Sequence, residues 1–201
     1  MFRKIIIAVL ILFVLLNCAG AADSSDWPTV KVGDETFKIP PEYAENPDTV
    51  TAEMYEWDYD IDEFTIRHAT PSIMELYGYY MEKYPSKKVN VSGHDAVHFH
   101  YYDRHDEKNN SVLWFSSGEE FYFIYFRGDT ITPTVKEVVK SCSESEYSHD
   151  EFYSILNEEY KNYKIVNAIE SIKVDYPIQS KGFTYGSFGS NGFSVGVGRY
   201  Y

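Results

Sequence analysis

Alternating apolar and polar positions run through the first part of the chain and predict β-strands. Residues 29–39 alternate on both sides of Gly33-Asp34, which predicts a β-hairpin. Pro40-Pro41 ends it, because proline lacks the amide that a strand ladder needs. Further strands are predicted at residues 51–57, 64–68, 89–91, 95–102, 112–115 and 121–127. The last of these are joined by short polar segments, which favours antiparallel neighbours.

Three helices are predicted from their start signals. Thr70-Pro71 begins the first, apolar residues follow at a spacing of three to four, and Pro85 ends it. Thr132-Pro133 begins a second helix that runs to Lys140. Ser148-x-x-Glu151 is a capping-box pattern that opens a third, running to about residue 171. The order predicts an α+β fold: an antiparallel sheet of about 6–7 strands, with the mid-chain helix and the helices near the C-terminus packed on it.

This order of elements resembles the PsbP-like fold of small exported proteins. The hairpin pattern at residues 114–123 and the Phe37-Lys-Ile-Pro-Pro start are similar to short exported domains of unknown function in methanogenic archaea. The resemblance covers about residues 29–172 and implies a binding or assembly module, with no catalytic residues to carry over. Fold alone does not decide function.

The N-terminus has the pattern of an export signal. Two basic residues, an apolar run over residues 5–16 and the small residues 19–21 form its three parts. Two alternatives stay open: an uncleaved membrane anchor reaching Ala22, or lipidation at Cys18, where Asn17 departs from the usual lipobox. The sequence thus predicts a signal peptide or N-terminal anchor at 1–22, a single α+β domain at 23–178 and a glycine- and aromatic-rich tail at 179–201. The protein is expected to be secreted or attached to the cell surface.

The net charge of −13 narrows the classes of partner. An acidic surface repels phosphate backbones and anionic lipids, so we predict no nucleic-acid partner and membrane contact only through the N-terminal segment. A protein or a surface ligand of unknown identity is the expected partner. Asn90 and Asn109 lie in glycosylation sequons. Cys142 is interpreted as a small buried hydrophobe near a helix end, with a reactive thiol or an intermolecular disulfide as the alternatives.

Residues 93–106 hold four of the six histidines. On a strand, His94, His98 and His100 share one face, and with His105 they can converge on zinc, copper or nickel. Val97 and Phe99 face the other side and have the apolar character of a core. The alternative interpretation, which we favour, is that the histidines cover the wet side of a half-buried antiparallel strand.

Two further patterns are candidate binding sites. Asp58, Asp60, Asp62 and Glu63 offer alternate carboxylates to calcium, although the EF-hand positions for glycine and the last acid are not met. A solvated acidic turn explains them better. Tyr77, Tyr80 and Tyr84, with Tyr79 beside them, form a stripe that either packs into the core or binds glycans or peptides.

The sequence contains none of the common enzyme motifs, such as a nucleophile elbow, a zinc-protease helix or a phosphate-binding loop. We therefore expect an exported, non-catalytic binding or assembly domain with no cofactor. The alternatives are a transition-metal protein using residues 94–105 and an extracellular hydrolase. The tail at 179–201 is expected to be flexible or docked.

Overall fold

The computed structural model describes residues 24–59, 62–104, 107–175, 182–189 and 192–199, and side chains up to residue 168 apart from Tyr59. The chain divides into two compact units, residues 1–160 and residues 161–201. The sequence pattern instead places the end of the domain at residue 178. Candidate residues Cys18, Asp60 and His105 lie outside the described residues.

The first unit contains a hairpin and a large sheet. The hairpin pairs β1 with β2, and the seven-stranded antiparallel sheet has the order β3-β4-β5-β9-β8-β7-β6. The strands are β1 Thr29–Val32, β2 Glu35–Lys38, β3 Thr49–Val50, β4 Met54–Tyr59, β5 Asp62–His68, β6 Ser86–Val91, β7 His94–Asp103, β8 Lys108–Ser117 and β9 Glu120–Arg127. The predicted α+β class and antiparallel sheet are confirmed.

The three predicted helices begin where the sequence predicts, and they are the mid-chain α2 Pro71–Lys83, α3 Pro133–Lys140 and α4 His149–Asp175. The short helix α1 Pro41–Ala44, which precedes them, was not predicted. The hydroxyl of Thr132 accepts a hydrogen bond from the Val135 amide and caps α3. The predicted capping box of α4 is also present, because the Glu151 carboxylate accepts hydrogen bonds from both the amide and the hydroxyl of Ser148.

The sheet is buried on both faces, which corrects the prediction of a wet histidine face. The β1–β2 hairpin and α3 cover one face, where Leu113 and Phe115 are buried. Helix α2 and the start of α4 cover the other face, where Val112 and Trp114 are buried. His98 points into the first of these layers and is only 6% exposed. The β1–β2 hairpin lies far from β7 in the sequence. The alternation of apolar and polar residues along β7 therefore could not predict that this hairpin covers the histidine face.

Two further expectations from the sequence are corrected. The acidic segment at residues 58–63 is not a loop along its length, because β4 continues to Tyr59 and β5 begins at Asp62. The tail folds as an antiparallel hairpin of β10 Gly182–Gly189 and β11 Gly192–Arg199. Among the described residues, no helix is long and apolar enough to cross a membrane.

Candidate functional site

Five tyrosines from three elements meet on the face of the sheet that α2 covers. We call them the tyrosine cluster: Tyr79, Tyr80, Tyr84, Tyr101 and Tyr125. The first two lie on α2, the third directly after it, and the others on β7 and β9. Tyr79 is 40% exposed, whereas the other four are half-buried. Tyr77, from the same predicted stripe, is instead buried in the core against Phe99 and Trp114.

Four of the five rings are in direct contact, and the side chain of the fifth, Tyr125, is hydrogen-bonded to Tyr101. Tyr84 stacks on Tyr101 with ring centroids 4.2 Å apart and planes 15° apart. Tyr80 lies 6.3 Å from Tyr101 and 5.6 Å from Tyr84. Tyr79 meets Tyr80 and Tyr84 edge to face, at 5.9 and 6.1 Å. Such pairs stabilise each other beyond the area that they bury, so the rings form a stiff surface.

The end of α2 brings Tyr84 to this position. Pro85 cannot continue the helix and restricts the residue before it, so Tyr84 has extended backbone at φ −129° and ψ 149°. Its amide still donates to the Tyr80 carbonyl at 2.9 Å. The chain therefore turns back toward the sheet at Tyr84, and the ring lies flat on Tyr101 of β7.

A polar group adjoins the cluster on β9. The Arg127 guanidinium donates to Asn110 Oδ1 at 2.6 Å and to the Tyr125 hydroxyl at 3.1 Å, and it pairs with Glu63 at 3.0 Å. Burial raises the pKa of Glu63 despite the nearby guanidinium. These contacts tie β5, β8 and β9 together beside the rings. Because Glu63 is half-buried and paired with Arg127, they also correct the prediction of a solvated acidic turn at this residue.

Burial raises the pKa of the phenols of Tyr80, Tyr84, Tyr101 and Tyr125, which keeps these four uncharged at neutral pH. Burial raises the pKa of Tyr84 to about 12, with Tyr79 and Tyr101 adding to the effect. Burial also raises the pKa of Tyr80 and Tyr125. The negative charge of Asp103 contributes to the raised pKa of both Tyr84 and Tyr101. The cluster therefore combines neutral aromatic rings with a nearby carboxylate.

The histidines predicted to bind metal differ in their burial and in their hydrogen-bond partners. His94 is buried, and its Nδ1 lies 2.9 Å from the carbonyl oxygen of Ser116. His98 Nε2 lies 3.0 Å from the hydroxyl of Ser111, which donates to the Gly128 carbonyl. The Ser111 oxygen therefore accepts from His98, and Nε2 carries a proton. The Nε2 nitrogen of His98 therefore makes a structural hydrogen bond to Ser111.

His100 remains the natural partner for His98 in a metal site. It is half-buried, and the two imidazole rings are 6.0 Å apart. Burial, assisted by His100 and Lys87, lowers the pKa of His98 to about 4. No group of three or more His, Cys, Asp or Glu side chains in the described part of the chain is arranged to hold a metal ion. Metal binding with help from His105 stays a prediction.

A second arrangement, which the sequence did not predict, joins Cys142 to His94. Cys142 is buried near the end of α3 as expected, and its thiol donates to the Val139 carbonyl at 3.1 Å. His94 Nε2 lies 3.9 Å from the sulfur. Burial raises the pKa of the thiol to about 11. Because the thiolate is the nucleophile, this environment favours a structural role over a reactive one.

The acid–histidine pair that the hydrolase hypothesis requires occurs at His68 and Glu120. Their side chains lie 3.0 Å apart, and the His68 ring lies 5.3 Å from that of Tyr122. The hairpin turn at Gly33 approaches both rings closely, so that a Cβ there would come within 2.9 Å of the Tyr122 hydroxyl. The His68 ring thus lies against a packed turn, whereas Glu120 is exposed, and the pair joins β5 to β9.

The remaining candidates lie on the surface. Asn90 and Asn109 are exposed, and glycosylation stays a prediction. Of the acidic residues, Asp62 accepts a hydrogen bond from the Tyr43 hydroxyl at 3.2 Å. Asp58 lies opposite Glu63 in the register of β4 and β5. Calcium binding at Asp58, Asp60 and Asp62 stays a prediction as well.

Comparisons with known proteins do not place the chain in a family. No family model and no curated protein matches it. A crystal structure from Bacteroides thetaiotaomicron VPI-5482 aligns over 85% of each chain, with 9% identity and a TM-score of 0.38. A likeness at this level carries no argument about fold or function.

Proposed function

We propose that this protein is an exported, non-catalytic binding domain and that it contacts its ligand through the tyrosine cluster. One observation carries the proposal: four tyrosine rings, from the end of α2 and from β7, meet at one surface with Tyr125 of β9 hydrogen-bonded beside them, and Tyr79 at this surface is 40% exposed. Tyrosine supplies a large, rigid contact area at low entropic cost, because only two side-chain torsions must be ordered. The export pattern at residues 1–22 supports a location of this surface outside the cytoplasm.

The chemistry of the cluster favours binding over catalysis. Burial raises the pKa of four of its five phenols, which keeps these four neutral at physiological pH and makes them poor nucleophiles and poor bases. Arg127, the cation beside them, is engaged by Glu63 and Asn110. Rings held by one another lose little freedom when a ligand covers them, which lowers the cost of association. The similarity to PsbP-like binding modules, suggested by the sequence pattern, agrees with this proposal.

The test compares two exposed tyrosines of the same chain. The full-length protein, Tyr79→Ala and Tyr102→Ala are purified and titrated against the washed cell-surface fraction of the source organism. Tyr102 is 57% exposed and follows Tyr101 on β7, so its side chain lies on the opposite face of the sheet. Loss of an aromatic contact in an interface costs about 1–2 kcal/mol, so Tyr79→Ala should weaken binding by about tenfold.

Tyr102→Ala should bind like the natural protein. Equal binding by all three proteins would contradict a role for the cluster. Circular dichroism melts serve as the control, since both tyrosines are exposed and both variants should melt within a few degrees of the natural protein.

A further inference from the structure

The exposed side of the tyrosine cluster has carboxylates around it. On α2, Glu75 and Glu82 lie four residues before and three residues after Tyr79, so they neighbour it on the helix surface. Both glutamates are exposed, and Glu82 accepts one hydrogen bond from the Tyr160 hydroxyl at 2.9 Å. Asp103 acts on the phenols of Tyr84 and Tyr101 from β7.

Lys83 supplies one positive charge on the same side of α2, where it too neighbours Tyr79. The three carboxylates outnumber it, so the local charge has the sign of the chain's net charge of −13. The surface around Tyr79 therefore attracts cations and repels anions.

Tyrosine rings in this protein already accept cations. The ammonium group of Lys88 lies 3.9 Å from the centroid of the Tyr153 ring. The guanidinium of Arg127 lies over the ring of Tyr125, a member of the cluster, at 5.9 Å. A ring face attracts a cation through its quadrupole, and the attraction grows when the cation loses water. A partly exposed tyrosine with carboxylate neighbours has the same chemistry available for a cation from outside.

We propose that the ligand of the tyrosine cluster is a cationic peptide segment, whose lysine or arginine side chains lie on Tyr79 and pair with Glu75, Glu82 and Asp103. This inference rests on the proposed function and adds the chemical class of the ligand. Rings alone accommodate a neutral glycan equally well, but charge complementarity singles out a cationic partner. Attraction by the whole acidic surface also speeds its association.

The experiment measures binding of three fluorescent probes to the full-length protein by anisotropy: a lysine- and arginine-rich octapeptide, a glutamate-rich octapeptide and a neutral oligosaccharide. We expect binding of the basic peptide only, and weaker binding as salt rises. Tyr79→Phe keeps the ring face and should bind as well as the natural protein. Tyr79→Leu keeps an apolar contact without the ring and should bind at least about fivefold more weakly.

Tyr102→Ala is the matched control and should leave the affinity unchanged. Glu75→Gln should weaken binding and flatten its dependence on salt. If Tyr79→Leu and the natural protein bind the basic peptide equally, attraction is only to the acidic surface and the inference is wrong. Failure of the basic peptide to bind would also overturn it.

The two proposals fail in different ways. Binding of the neutral oligosaccharide, lost in Tyr79→Ala, would overturn the cationic ligand while supporting the cluster as a binding surface. Binding of the basic peptide to Tyr79→Ala with unchanged affinity would count against both proposals.

Discussion

His98 makes the stability of this protein depend on pH in a way that can be measured. Its imidazole is 6% exposed, donates to Ser111 and lies parallel to the Phe126 ring at 6.2 Å. Burial lowers its pKa from 6.5 to about 4, while the carboxylate of Asp129 acts in the opposite direction. The folded protein therefore holds this imidazole neutral at pH values where the unfolded chain protonates it.

The sign and size of the effect follow from linkage. Below pH 6.5 the unfolded chain gains a proton at His98 that the folded protein does not take up until about pH 4. The contribution of His98 is thus fully present at pH 7 and is lost as the pH falls through this window. The difference in pKa corresponds to a loss of about 2 kcal/mol at pH 5 and about 3 kcal/mol below pH 4.

The assay is urea denaturation of the natural protein and of His98→Gln at several pH values between 7 and 4. Glutamine can still donate to the Ser111 hydroxyl, but it does not titrate. At pH 7 the variant should be less stable by about 1 kcal/mol, because it packs less well against Phe126. Its disadvantage should shrink and reverse as the pH falls. Carboxylates that titrate in the same range affect both proteins and cancel in the difference.

His149→Gln is the matched control, because the same substitution there removes an exposed imidazole instead of a buried one. His149 pairs with Asp95 at 3.0 Å, and its side chain is 66% exposed. Loss of an exposed pair costs at most about 1 kcal/mol. If the curves of the natural protein and of His98→Gln stay parallel from pH 7 to pH 4, His98 is not held neutral by burial and the reasoning is refuted.

Two further predictions concern Gly33 and Cys142. Gly33→Ala should destabilise the protein more than Gly118→Ala in chemical denaturation. Both glycines have φ near +60°, so both substitutions strain the backbone. A Cβ at residue 33 also comes within 2.9 Å of the Tyr122 hydroxyl, whereas a Cβ at residue 118 meets nothing closer than 3.6 Å. Backbone strain should cost each variant about 1 kcal/mol of unfolding free energy, and the clash adds to this cost only in Gly33→Ala. Equal losses in the two variants would show that the turn at Gly33 does not pack closely on Tyr122. In a Cys18→Ser background, the Cys142 thiol should react with a disulfide reagent at pH 8 only after unfolding, because its pKa is raised to about 11. Rapid labelling of the folded protein would contradict this.

Local sequence was sufficient to predict the elements. Thr70-Pro71 and Thr132-Pro133 begin helices where expected, and Ser148 and Glu151 form the predicted capping box. The Thr132 and Ser148 signals succeed because capping involves residues three or four positions apart. The side chain of Thr70 makes no capping hydrogen bond, so Pro71 at the first helical position marks that start. The antiparallel connections were also predictable, since short polar links leave few alternatives.

The burial of His98 was not predictable in the same way. Alternation along β7 separates Val97 and Phe99 from His94 and His98, but it does not state what covers either face. The β1–β2 hairpin and α3 cover the histidine face, and they are distant in sequence from β7. A histidine among such neighbours becomes a structural hydrogen-bond donor instead of a wet surface residue.

The tyrosine cluster shows the same division between sequence and tertiary structure. The spacing of Tyr77, Tyr80 and Tyr84 predicted one side of a helix, and Pro85 determined that the helix ends just before Tyr84. Only the packing of α2 across the sheet decided that Tyr77 is buried while Tyr84 stacks on Tyr101. Periodicity is a property of neighbouring residues and can be read along the chain. A binding surface depends on contacts between distant segments, which form when the sheet buries both of its faces.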